Sequence, residues 1–321
     1  MKIVFGPVPS RRLGRSLGIN NIPPKECTYA CVYCQLGNTI KLGTKRKEFY
    51  SPEQILGEIR EVLKRVNIKD DKINYITIVP DGEPTLDINL GKLIEELKIF
   101  RIKIAVITNS SLLDNKNVRK DLLEVDWVSV KVDAISENIW HKIDRPHGEL
   151  NFKSILNGVK LFSDEYLNYL AVETMLIKDL NDSDDELNKI SKFVQSLNPD
   201  KAFLSIPTRP PAEALIETPC EERINKAYQI FTLNGLNTEL NTGYEGNEFS
   251  STGNISEDVL NITAVHPMRF DAIEKLIEKN NGSWDEIEYL VNTGKLIKSE
   301  FGENIFYLRN LRKWRKQNQQ K

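Results

Sequence analysis

Short apolar runs alternate with helical patterns along most of this chain, and that alternation restricts the architectures open to it more than any other feature. Residues 16–20, 74–79, 103–108, 127–133, 170–176 and 202–207 read as strands, and 237–240 as a candidate last one. Runs such as Asn74-Tyr75-Ile76-Thr77-Ile78-Val79 are continuously apolar or β-branched, as strands buried on both faces should be. Helical patterns at 51–66, 89–100, 117–124, 152–162, 184–195 and 221–233 separate them. Ser51-Pro52-Glu53-Gln54 opens the first helix with a capping serine, a proline at the first helical position and a capping-box glutamine. Ile55, Ile59, Val62, Leu63 and Val66 then follow at helical spacing. Repeated strand–helix units imply an α/β fold with a parallel sheet of right-handed crossovers. Periodicity leaves open whether that sheet is a partial barrel or doubly wound. Either form presents ligand-binding groups at the C-terminal ends of its strands.

The most distinctive loop follows the first strand. Three of the four cysteines, Cys27, Cys31 and Cys34, fall within eight residues at C-x3-C-x2-C spacing. Three thiolates on one loop can hold three corners of a cubane iron–sulfur cluster, leaving one iron open for another ligand. The alternatives are structural zinc and chance clustering. Structural zinc takes four closed ligands, and the histidines, His141, His147 and His266, are far away in sequence. Cys220 stands alone and reads as a small, partly buried thiol. Clustered thiols, with Gly6 and Pro7 breaking the first apolar stretch, lead us to expect a cytoplasmic protein without a secretory signal. The net charge of −2 gives no global pull toward nucleic acid or anionic lipid. No apolar run approaches the ~18 residues of a membrane span.

C-x3-C-x2-C with Tyr33 just before the last cysteine resembles the signature of the radical S-adenosylmethionine (SAM) superfamily. Pro9-Ser10-Arg11-Arg12-Leu13-Gly14 and Cys34-Gln35-Leu36-Gly37 further resemble the wyosine-synthase-like iron–sulfur oxidoreductases within it. The resemblance implies a partial (βα)6 barrel and a [4Fe–4S] cluster on Cys27, Cys31 and Cys34. It also implies bound SAM, cleaved to a 5′-deoxyadenosyl radical, and an electron donor such as flavodoxin or ferredoxin. Asp81-Gly82-Glu83-Pro84 resembles the family's G-G-E-P, which holds the amino group of SAM; Asp81 replaces the first glycine. In this stretch Gly82 permits close backbone approach, and Glu83 offers a charged acceptor to an ammonium. Asn109, in Thr108-Asn109-Ser110, resembles the family's T-N-G with Ser110 in place of glycine.

Other strand ends carry further candidates for cofactor binding. Lys131 and Asp133 share one face of a strand, as cofactor ligands or as a structural ion pair. Met175 shares a face with Glu173, Arg209 lies on a proline-rich loop suited to a carboxylate or phosphate, and Tyr33 is placed to pack against adenine. Arg11, Arg12 and Arg15 are candidates for a substrate or cofactor carboxylate, and the loop Asp144–Gly148 for a face toward substrate.

We expect residues 1–243 to form the barrel domain, 244–256 a linker, and 257–321 a winged-helix-like α+β module of two helices and a hairpin. A basic tail, Arg309, Arg312, Lys313, Arg315 and Lys316, follows. The wyosine resemblance suggests a tRNA base as substrate. Tricyclic wyosine synthases carry additional cysteines for a second cluster, which this chain lacks. A peptide or protein substrate is the second reading, and a nucleic-acid-binding redox sensor the third.

Overall fold

The computed structural model describes residues 3–65, 72–243, 249, 253–263, 267–280 and 282–310. An antiparallel pair, β1 (Val4–Ser10) and β2 (Gly14–Ile19), leads into the cysteine loop, which is bracketed by the short pair β3 (Glu26–Cys27) and β4 (Lys41–Leu42). There follow α1 (Pro52–Arg65), β5 (Tyr75–Ile78), α2 (Leu90–Leu97), β6 (Lys103–Ile107), α3 (Lys116–Leu122) and β7 (Trp127–Lys131). The second half of the sheet comprises α4 (Glu137–Ile143), α5 (Phe152–Glu165), β8 (Tyr169–Met175), α6 (Asp184–Ser196), β9 (Lys201–Ser205), α7 (Glu221–Leu233) and β10 (Thr238–Asn241).

The strands are ordered β1-β2-β5-β6-β7-β8-β9-β10, and every pairing from β2 to β10 is parallel. Sequence order is spatial order throughout, with no reversal. A doubly wound sheet reverses at a switch point, so the open alternative resolves to a barrel-type winding. Among the described residues β1 and β10 are not paired with each other, and the barrel is partial. Leu17, Ile19, Ile76, Ile78, Val106 and Val128 pack outward onto α1, α2 and their successors. The opposite faces contribute Leu13, Ala105, Trp127, Ala171 and Phe203, which close the N-terminal end of the strands with an apolar plug. The polar positions are thereby left to the C-terminal ends.

Helix starts follow the local chemistry. Ser51 Oγ accepts from Gln54 N at 3.2 Å, and Asn151 and Ser183 cap α5 and α6 by accepting from Ser154 N and Glu186 N. Two seven-residue elements of the barrel escape the sequence pattern. β1 passes through Gly6 and Pro7, which disguise a strand that pairs with β2 across a register irregularity. Helix α4 lies between β7 and the Asp144–Gly148 loop, where no element was expected; it is only seven residues long, too short for a periodic signal.

The C-terminal part comprises α8 (Ile255–Ile262), β11 (Met268–Arg269), α9 (Phe270–Lys279), α10 (Trp284–Asn292), β12 (Leu296–Phe301) and β13 (Asn304–Arg309). Its sheet is antiparallel, ordered β11-β13-β12. The module is winged-helix-like, with three helices and three strands instead of two helices and a hairpin. Helix α8 begins inside the stretch expected to be a linker. Residues 244–248 and 250–252 of that stretch, Val66, His266 and the basic residues Arg312, Lys313, Arg315 and Lys316 lie outside the described residues.

Phe5 and Val8 of β1 share an apolar cluster with Phe249, Val259, Ile262 and Ile273, so the edge strand is where module and barrel join. Phe5 also lies over Gly18 of β2, where an added Cβ would fall 2.0 Å from the ring. Phe5→Ala should therefore cost about 3–5 kcal/mol, measured by chemical denaturation. Limited proteolysis should show earlier cleavage between barrel and module.

Candidate functional site

The cysteine loop is a coil held mostly by main-chain hydrogen bonds to the segment after α4. Ala30 N donates to the carbonyls of Asp144 and Arg145 at 3.0 and 3.2 Å, Val32 N to Ile143 O at 2.9 Å, and His147 N to Thr28 O at 2.9 Å. Trp140 Nε1 donates to Tyr29 Oη at 3.1 Å from below. The Asp144–Gly148 stretch thus supports the loop, and His147 contributes its backbone. Cys27, Cys31 and Cys34 are all half-buried, and Cys220 is exposed, where a partly buried thiol was expected. Among the described residues no three His, Cys, Asp or Glu side chains are placed to hold one metal ion.

Two hydrogen-bond donors point at the thiols. Lys25 Nζ lies 3.2 Å from Cys34 Sγ, and Asn109 Nδ2 lies 3.5 Å from Cys27 Sγ and 2.8 Å from Thr28 Oγ1. Burial pushes the Cys27 thiol up to about 12, with Glu83 adding to the shift, and raises Cys31 well above the ordinary thiol range, with Asp144 adding. Such thiols keep their protons unless a metal takes their place.

The stretch after β5 lies directly against the loop. Gly82 meets the carbonyl of Glu26, where a Cβ would stand 1.9 Å from Glu26 O. Glu83 N donates to that same carbonyl at 3.2 Å. Glycine is therefore demanded by close backbone approach. The Glu83 carboxylate, expected to face a ligand ammonium, is fully buried and turned inward. Its Oε1 accepts from Thr85 N at 3.1 Å, Thr85 Oγ1 at 2.6 Å and Thr108 Oγ1 at 2.6 Å; its Oε2 accepts from Asn109 N at 2.8 Å. Glu83 thus ties the end of β5 to the end of β6, and Pro84 starts the short 3-10 turn that it caps. Ser110 adopts a φ of 70°, explaining glycine in the resembled motif. Its hydroxyl compensates by accepting from Lys131 N at 2.7 Å.

A second group lies on β7 and β8. Tyr33 Oη donates to Asp133 Oδ2 at 2.5 Å, and Asp133 Oδ1 accepts from Met175 N at 2.7 Å. Lys131 Nζ stands 4.5 Å from the Tyr33 ring centre and 3.8 Å from Asp133 Oδ2. Tyr33 and Met175 are buried with Val32, Ile143 and Ile177, forming an apolar backing to the loop. Burial raises the Asp133 carboxyl despite Lys131, and raises Asp144 further, with Asp133 as its repulsive neighbour.

Inside the barrel, Arg12 Nη1 meets Glu173 Oε2 at 2.6 Å, and Ser205 Oγ donates to Glu173 Oε1 at 2.7 Å. Burial would raise this carboxyl, but Arg12 and then Lys131 outweigh it and hold Glu173 down to about 2. Arg12 therefore serves a protein carboxylate, and Arg11 donates to the Gly243 carbonyl. Arg209 is buried on the loop beyond β9. Sequence reading missed Lys25 and the role of Asp144. Lys25 carries no motif and only its contact with Cys34 reveals it; Asp144 was singled out with its loop, but not as the acceptor from Cys31 Sγ at 3.4 Å that it proves to be.

The radical SAM superfamily model matches residues 21–190. A UPF0026 protein of Methanocaldococcus jannaschii is 48% identical, covering 97% of both chains. A radical SAM methyltransferase from Sphaerobacter thermophilus shares the fold at TM-score 0.56 and 16% identity, covering 71% of this chain and 66% of that one. A structure of TYW1 with a lysine-pyruvate adduct bound is similar at TM-score 0.53 and 20% identity, covering 68% and 74%.

Two outcomes are expected. Gly82→Ala should cost about 1–3 kcal/mol through overpacking against backbone, read by denaturation, and should lower iron uptake on reconstitution. Glu173, lowered from 4.5 to about 2 on folding, stabilises fully above pH 4.5. That contribution, on the order of 3 kcal/mol, is lost as pH falls from 4.5 through about 2. Glu173→Gln should abolish this limb of the stability–pH curve.

Proposed function

Since the chain belongs to the radical SAM superfamily and to the UPF0026 family, we propose that Cys27, Cys31 and Cys34 hold three irons of a [4Fe–4S] cluster whose fourth iron takes SAM. The observation that carries this reading is the donor set itself. Three half-buried thiols share one loop, with N–H donors from Lys25 and Asn109 directed at two of the sulfurs. Thiolate-only sites suit iron–sulfur clusters, and hydrogen bonds to ligand sulfurs are how a protein stabilises them. When bound, the cluster and SAM supply reductive cleavage to a 5′-deoxyadenosyl radical, which abstracts hydrogen from substrate.

The chain's own residues bind, orient and exclude water. Gly82 lets the backbone close on the cysteine loop, and Glu83 and Pro84 set the shape of that turn. The ammonium of SAM would meet main-chain carbonyls of the turn and Glu83 Oε2, since Oε1 already takes three internal donors and Oε2 only Asn109 N. Asn109, Lys131, Asp133 and Arg209 are our candidates for the other polar groups of the cofactor. Tyr33 and Met175 form the apolar wall behind the cluster. A flavodoxin or ferredoxin would supply the electron, in the cytoplasm, where thiols stay reduced. No helix among the described residues is long and apolar enough to cross a membrane.

For the substrate, the family resemblance suggests a tRNA base. One observation favours a second reading, a peptide or protein. Helix α10, Trp284–Asn292, carries Asp285, Glu286 and Glu288 and no lysine or arginine. A winged helix that reads nucleic acid would present a basic face to phosphates.

Anaerobic reconstitution tests the whole reading. The wild-type protein should take up about four irons per chain, as a cubane cluster requires, and release 5′-deoxyadenosine when reduced. Cys34→Ala should lose the intact cluster and that release; a variant that retains both overturns the assignment. Stimulation of release by bulk tRNA or by cell peptides separates the two substrate readings.

A further inference from the structure

Asp81 occupies the place of the first glycine in the resembled G-G-E-P stretch, and the structure gives its carboxylate a partner. Lys25 Nζ lies 3.6 Å from Asp81 Oδ1 and 3.2 Å from Cys34 Sγ. The side chains of Lys25 and Asp81 are 4% and 1% exposed. The backbone is pinned as firmly as the side chains. Lys25 adopts a φ of 62°, its N–H donates to Asp81 O at 2.5 Å, and its carbonyl accepts from Ile40 N and Lys41 N, both at 3.0 Å. A lysine held in left-handed backbone and sealed from water is an expensive arrangement unless its ammonium is used. The Asp81 carboxylate gives that ammonium a counter-charge inside the protein.

We propose that Lys25 and Asp81 form an ion pair that sets the reduction potential of the cluster held by Cys34. The inference rests on the cluster reading above. An ammonium that donates to a ligand sulfur stabilises the reduced, more negative cluster and raises its potential. A carboxylate beside that ammonium pulls the other way. Cys34 meets the positive end of the pair, so the net effect is a higher potential and reduction by a weaker donor. Glycine at position 81 would leave the ammonium without this counterweight. Hence the two residues belong together.

The test is an anaerobic redox titration of the reconstituted protein, following the electron paramagnetic resonance of the reduced cluster, with iron per chain measured first. Lys25→Met should lower the potential by about 59 mV or more, a tenfold smaller reduced-to-oxidised ratio at fixed donor potential for one electron. Asp81→Asn should raise it, Lys25→Arg should stay near wild type, and Lys25→Met combined with Asp81→Asn should fall between the two singles. Opposite signs at normal iron content support the pair, because a purely structural role would not produce them. Potentials that all stay at the wild-type value, or all move in one direction, overturn it while leaving the cluster assignment intact. If Lys25→Met loads no iron, Asp81→Asn decides: a raised potential with Lys25→Arg near wild type supports the pair, and an unchanged or lowered one overturns it. A wild-type protein that takes up no cluster overturns the cluster reading, and this inference with it.

Discussion

Charge removed from water must be met by another group, and the polar end of this barrel is arranged around that requirement. Glu173 on β8 is held by Arg12 from the β1–β2 turn and by Ser205 on β9. Asp133 beyond β7 accepts from Tyr33 on the cysteine loop and from Met175 on β8. Asp81 after β5 meets Lys25 before that loop. The ties from Arg12, Tyr33 and Lys25 join elements that the sheet's own hydrogen bonds leave independent. The strand ends are thereby cross-tied in three dimensions, which holds a cysteine loop with little regular secondary structure of its own. A site built on coil gains the precision of the scaffold only through such ties.

Close backbone approach is the second constraint, and it accounts for the residues that depart from ordinary backbone. Gly82 lets the turn after β5 touch Glu26 beside Cys27. Ser110 and Lys25 both accept left-handed φ, and each recovers the cost through a specific contact, Ser110 with Lys131 N and Lys25 with Asp81 and Cys34. At positions 81 and 110, where the resembled motifs carry glycine, the side chain has a partner.

Legibility from sequence followed the range of each interaction. The seven parallel strands and their helices were readable because burial on both faces leaves a local apolar run. The cap at Ser51 was readable because cap and donor lie within three residues of each other. The strand β1 was hidden, since its pairing with β2 overrides the glycine and proline in it. Helix α4 was hidden by its shortness, and the inward turn of Glu83 by partners on another strand. The 3.8 Å separation of Lys131 Nζ from Asp133 Oδ2 is likewise something no sequence spacing encodes.

The composition and order of the chain settle the class of fold and mark out the three clustered cysteines, because apolar periodicity and cysteine spacing act over a few residues. They leave undecided which charged side chains meet. Lys25 and Asp81 are 56 positions apart, Arg12 and Glu173 are 161. Those encounters exist only once the crossovers have wound the strands in order and brought their C-terminal ends together. Burial then makes each unpaired charge too costly to keep. That late selection, acting through desolvation, turns a readable three-cysteine motif into a site with a defined electrostatic surrounding.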